Sequence, residues 1–123
     1  MFHTMVLSLP TSPAGAHIHK RTSDYTLASY QNLTIIIWHD RATMEAVQAL
    51  SDAHRELYRA WPHGLFSLAI VEEQAIPPNA EVRAGLASFL KETQGLLAGA
   101  CILDGTGFRI SVVRSVATSL TLL

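Results

Sequence analysis

The sequence predicts an α/β domain, with a four-stranded mixed sheet packed with helices in the order β-β-α-β-α-β-α. Three observations carry this. Residues 33–39, 65–71 and 98–103 are nearly continuous apolar runs, as expected of strands covered on both faces. The segments between them repeat apolar residues three or four apart, the period of a helix with one buried stripe. Strand and helix alternate after a first hairpin, which implies parallel pairing through right-handed crossovers, with helices over one or both faces. A chain of 123 residues with 49% hydrophobic and 15% charged residues suits one globular domain. At that length roughly two-thirds of the unfolded surface is buried, so a core forms without metal or disulfide.

Residues 1–18 read as a flexible N-terminal arm and 19–123 as the folded domain. The stretch Pro-Thr-Ser-Pro-Ala-Gly-Ala at 10–16 is a connector by composition. Met5, Val6, Leu7 and Leu9 make a short apolar piece without the basic flank and length of a signal peptide, so export is not expected. Residues 25–30 are β-prone, and Gln31-Asn32 suits a two-residue turn into the strand at 33–39. That run, Leu-Thr-Ile-Ile-Ile-Trp-His, is the predicted central strand.

Asp40 or Thr43 then caps a helix whose apolar side holds Met44, Val47, Leu50, His54, Leu57 and Trp61. Trp61-Pro62-His63-Gly64 stops it, and residues 65–71 form the next strand. Pro77-Pro78 forces a loop. Asn79 caps a second helix, with Glu81 in its first turn and Val82, Leu86, Phe89, Leu90, Thr93 and Leu97 on one side. Residues 98–103 form a third strand of the alternating part, closed by Asp104-Gly105-Thr106-Gly107. Phe108, Val112, Val113, Val116, Leu120 and Leu123 share one side of a helical wheel, which predicts a last helix. The alternation of Phe108, Ile110 and Val112 leaves a hairpin through Asp104-Gly105 as the alternative.

Composition excludes several roles. Nine Lys and Arg against ten Asp and Glu give a net charge of -1, so no basic surface is available to track phosphates and no nucleic acid is expected. No run approaches the roughly 18 apolar residues of a membrane-spanning helix, so no membrane span is expected. Cys101, the single cysteine, cannot make an internal disulfide and favours the cytoplasm. Its apolar surroundings predict a small buried hydrophobe rather than a nucleophile.

Six histidines invite a search for a metal site. His17 and His19 are the closest pair, and a strand would put both on one face, but no third or fourth ligand converges on them, so no metal or other cofactor is expected. Trp38, His39 and Asp40 close the central strand, at the end where open α/β sheets bind ligands, and form the best candidate site. The competing roles are a buried Trp38, a turn His39 and a capping Asp40. His54 interrupts an apolar helix face, as a titratable group beside a pocket or as a hydrogen-bonded histidine at the core edge. Gly105, Thr106 and Gly107 precede a helix and offer backbone N–H groups to an anion, although no Lys-Ser or Lys-Thr of a phosphate-binding loop follows. Glu72 and Glu73 are adjacent on a strand and so face opposite ways, as solvated strand-end charges.

Across residues 22–123, the order of elements, the runs at 33–39, 65–71 and 98–103 and the Gly-containing turn before the last helix resemble the sulfate-transporter and anti-sigma-antagonist (STAS, SpoIIAA-like) domains. The likeness is greatest to a bacterial SpoIIAA-like group linked to the lipid-binding Sec14-like fold. The resemblance implies a regulatory or binding role. Anti-sigma antagonists are phosphorylated on a Ser or Thr after the second α/β strand. Here that stretch reads Glu-Glu-Gln-Ala-Ile-Pro-Pro-Asn-Ala at 72–80, without a hydroxyl, so the phosphorylation switch does not carry over.

The family fold adds a strand and helix beyond the position of Leu123, which leaves Val116, Leu120, Leu122 and Leu123 as a predicted homodimer interface. Three functions are expected in descending order: a non-enzymatic, dimeric protein-interaction module with a possible regulatory partner, a small-molecule or lipid binder with an apolar pocket between sheet and helices, and an enzyme. The last ranks lowest because no catalytic constellation converges in the sequence.

Overall fold

The computed structural model of the chain describes residues 16–105. The helix expected at 108–123, with Thr106, Gly107, Val116, Leu120, Leu122 and Leu123, lies outside the described residues. Five strands and two helices follow one another as β1 (Ala16–Arg21), β2 (Tyr25–Tyr30), β3 (Leu33–Trp38), α1 (Met44–Ala60), β4 (Leu65–Val71), α2 (Ala80–Glu92) and β5 (Leu96–Leu103). The class is α/β as expected. Among the described residues the sheet has five strands rather than four, in the spatial order β1-β2-β3-β4-β5. The additional strand, β1, takes in residues 16–18 at the end of the segment read as an arm.

β2 and β3 form the expected hairpin, with Tyr30 opposite Leu33 and Gln31 in the left-handed region at φ 53°. β3 pairs parallel with β4, and β4 with β5. Two right-handed crossovers that step the same way across a sheet place both helices on one face, and α2 accordingly packs against α1. The core lies between these helices and the sheet, built from Tyr25, Leu27, Ile36, Trp38, Leu50 and Phe89 with their neighbours.

Local chemistry sets the helix ends. The Thr43 hydroxyl accepts the Ala46 N–H at 3.1 Å and caps α1, and Asn79 Oδ1 accepts the Val82 N–H at 2.9 Å and caps α2. α1 stops at Ala60, so Trp61 is an exposed C-cap rather than a member of the apolar stripe. α2 stops at Glu92, and Leu97, expected on its apolar side, belongs to β5. Gly95 makes this early exit: its φ is +81°, and a Cβ would come within 2.4 Å of the Tyr58 ring.

The registers also define the second sheet face. Tyr30, Leu33, Phe66 and Ala98 lie in one row, Ala28, Ile35, Leu68 and Ala100 in the next, and Thr26, Ile37, Ile70 and Ile102 in a third. Apart from Thr26 this face is apolar or aromatic. Both described helices lie on the other side. Its centre is closed, with Ile35 3% exposed, while Phe66 and Ile102 towards β5 are 40% and 47% exposed.

Candidate functional site

The carboxyl ends of the three parallel strands meet at one edge of the second face. Trp38, Val71 and Leu103 are aligned across β3, β4 and β5, so the residues that follow them, His39, Glu72 and Asp104, come next in line. Backbone hydrogen bonds carry the ladder one step further. Glu72 N–H donates to Trp38 O at 3.0 Å and Asp104 N–H to Val71 O at 2.8 Å. An apolar sheet face therefore ends in a polar row, at the end where open α/β sheets bind ligands.

His39 is the centre of this row. Its Nδ1 lies 3.0 Å from Glu72 Oε1 and its Nε2 lies 2.7 Å from Thr26 Oγ1. Gln74 Nε2 donates to the same Glu72 oxygen at 2.7 Å. Glu72 only accepts when ionised, so the network assigns the proton to Nδ1 and leaves Nε2 to accept from the Thr26 hydroxyl. The hydrogen bond from His39, followed by that from Gln74, holds the Glu72 carboxyl below the usual carboxylate range. Thr26, beneath the ring, is only 8% exposed.

The other expected site residues separate. Trp38 is buried in the core, its ring centroid 6.2 Å from that of Tyr25. Asp40 is exposed, and its backbone rather than its side chain closes the turn, by donating to Asp24 O and accepting from Ile76 N–H. His54 is 1% exposed. Its ring stands edge-on to Phe89 at 5.0 Å, and its Nε2 lies 2.6 Å from Thr34 Oγ1, which in turn donates to Ser67 Oγ at 3.3 Å. Burial pulls its pKa down to about 4. His54 is thus a core histidine between α1 and the sheet, not a group at a pocket mouth.

Gly105, at φ +99°, has the Glu73 side chain where a Cβ would stand, 2.6 Å away. A carboxylate beside that turn opposes anion binding. Glu72 and Glu73 do face apart, one to His39 and the other to Gly105. His17 and His19 come together on β1 with ring centroids 4.4 Å apart, yet His19 Nε2 is engaged with Ser29 Oγ at 2.9 Å. Among the described residues, no group of three or more His, Cys, Asp or Glu side chains is placed to hold a metal ion. Cys101 is exposed, contrary to expectation. The reason is its position on β5, which among the described residues pairs with β4 alone.

Sequence reasoning named His39 but not Thr26 as its partner, and treated Glu72 as a solvated charge. Thirteen and 33 residues separate them from His39. Only the register of β3 against β2 and β4 brings them together. Comparisons with models of known families, with curated proteins and with solved structures found no match. No helix among the described residues is long and apolar enough to cross a membrane.

Proposed function

We propose that this chain is a STAS-like protein-contact module that acts as a homodimer and lacks the phosphorylation switch of anti-sigma antagonists. The observation that supports this best is the second sheet face, whose rows of Leu33, Phe66 and Ala98, of Ile35, Leu68 and Ala100, and of Ile37, Ile70 and Ile102 face away from both described helices. The centre of this face is closed, and its exposed part, at Phe66, Ala98, Ala100 and Ile102 towards β5, is apolar surface of the kind that marks contact sites. Val116, Leu120, Leu122 and Leu123 extend the apolar character along the chain. A regulatory protein and a cytoplasmic setting belong to the same reading. Light scattering on the intact chain tests it: the module has twice the 13.4 kDa of one chain, and a mass of 13.4 kDa at every concentration contradicts it.

One observation favours a second reading, small-molecule binding at the strand ends. His39 is hydrogen-bonded through both ring nitrogens and still partly open to solvent, which is the polar anchor such a site needs at the rim of an apolar surface. A ligand-observed NMR screen of small organic acids and amides separates the two. Hits abolished by His39→Ala support a ligand site here, and hits indifferent to His39 count against it.

A further inference from the structure

Among the described residues the two edges of the sheet are β1 and β5, and they are built differently. β1 is broken by a bulge between Ile18 and Lys20, and its exposed Lys20 and Arg21 discourage another strand from pairing with it. Bulges and cationic side chains are the usual devices that keep an edge solitary. β5, the opposite edge among the described residues, has its one register irregularity at Leu97, near its start, and carries no cationic side chain. Its eight residues, Leu-Leu-Ala-Gly-Ala-Cys-Ile-Leu, contain no charge and no proline, and all five from Ala98 to Ile102 are exposed. Such a strand is a template for pairing.

Backbone direction specifies what the edge offers. Asp104 N–H points to Val71 O of β4, and the register from Ala98 to Leu103 is unbroken. Successive residues of a parallel strand turn their N–H groups to opposite sides. Ala98, Ala100 and Ile102 therefore bond to β4, and the N–H and C=O groups of Gly99, Cys101 and Leu103 point outward. Small side chains at Ala98, Gly99 and Ala100 let another backbone approach.

We propose that β5 pairs antiparallel with β5 of a second copy, across a two-fold axis, so that the two sheets join into one. This rests on the dimeric reading above and gives it a geometry. The occupant is a second copy because the edge is uncharged along its whole length: it meets itself without repulsion and offers an oppositely charged partner nothing to recognise. A two-fold contact uses the same patch twice, and an outward row of alternating donors and acceptors is complementary to its own antiparallel image.

Sedimentation equilibrium on the full chain, on Gly99→Lys and on Cys101→Pro tests this. A Cβ at Gly99 meets only the Ser67 carbonyl, at 3.6 Å, so a lysine fits the fold while bringing two cations together across the axis. Cys101→Pro removes an outward N–H and spares those bonded to β4, a position where edge strands accept proline. We expect the mass to fall from twice 13.4 kDa to once in both variants, with far-ultraviolet circular dichroism unchanged. If proline unfolds the chain, the lysine variant decides. A folded lysine variant that keeps the wild-type dimer overturns β5 pairing and leaves the dimeric reading standing, whereas a monomeric wild type removes both.

Discussion

His39 and Glu72, which lie 33 residues apart in the chain, face each other at 3.0 Å across the ends of two parallel strands. The pair follows directly from the alignment of Trp38 with Val71. It joins the end of β3 to that of β4, and Thr26 extends the connection to β2. The polar row at the carboxyl ends is thus tied across three strands by side chains as well as backbone.

Removing the centre of that network has a defined cost. His39→Ala leaves the mostly buried Thr26 hydroxyl without its partner, and a buried polar group stripped of a hydrogen bond costs about 1–3 kcal/mol. Urea denaturation at pH 7 is expected to show a loss within that range. The double variant Thr26→Val with His39→Ala should recover part of it, because no hydroxyl is then left unpaired. A single His39→Ala as stable as wild type would contradict the network.

His54 makes the fold acid-sensitive. Its folded pKa of about 4 lies below the ordinary 6.5, so the unfolded chain takes up the proton first as pH falls. Stability is complete above pH 6.5 and declines between 6.5 and 4, by about 3 kcal/mol for a gap of this size. Denaturant midpoints at pH 7 and pH 4.5 read the effect, and His54→Gln should flatten it. The Glu72 carboxyl, held low by His39, adds a loss of the same sign at lower pH.

Tyr25 produces the opposite limb. Its hydroxyl donates to Glu45 at 2.9 Å. Burial first, and the carboxylate second, push the phenol up to about 12. Stability from this group is present below pH 10 and is lost as pH rises towards 12. Absorbance at 295 nm should show a late ionisation phase near pH 12 that is missing from Tyr25→Phe. An unchanged titration in that variant would place Tyr25 in water.

Much of the fold is written locally. Thr43 and Asn79 are caps by residue type, the run at 33–38 is a central strand by its unbroken β-branched apolarity, and Pro77-Pro78 can only be loop. β1 is different: His17, His19, Lys20 and Arg21 give it no apolar pattern, and its strand form comes from pairing with β2 rather than from its own preference. Leu97 fits the helix period and the strand equally well, and only the positive φ of Gly95 decides where α2 ends. Cys101 looks like a core residue in an apolar strand because sequence does not tell an edge from a centre.

The site divides in the same way. His39 and Asp40 stand out in the sequence as the polar end of a strand, but Trp38 points to the core face by simple alternation. The partners of His39 are set by registers that link distant segments, and no spacing along the chain contains them.

Amide hydrogen exchange along β5 tests the self-pairing module most directly. At concentrations where two chains associate, the outward N–H groups of Gly99, Cys101 and Leu103 should be protected along with those of Ala98, Ala100 and Ile102. On dilution to single chains the outward set alone should lose its protection. Outward amides that exchange freely at every concentration, beside protected inward ones, would contradict the account.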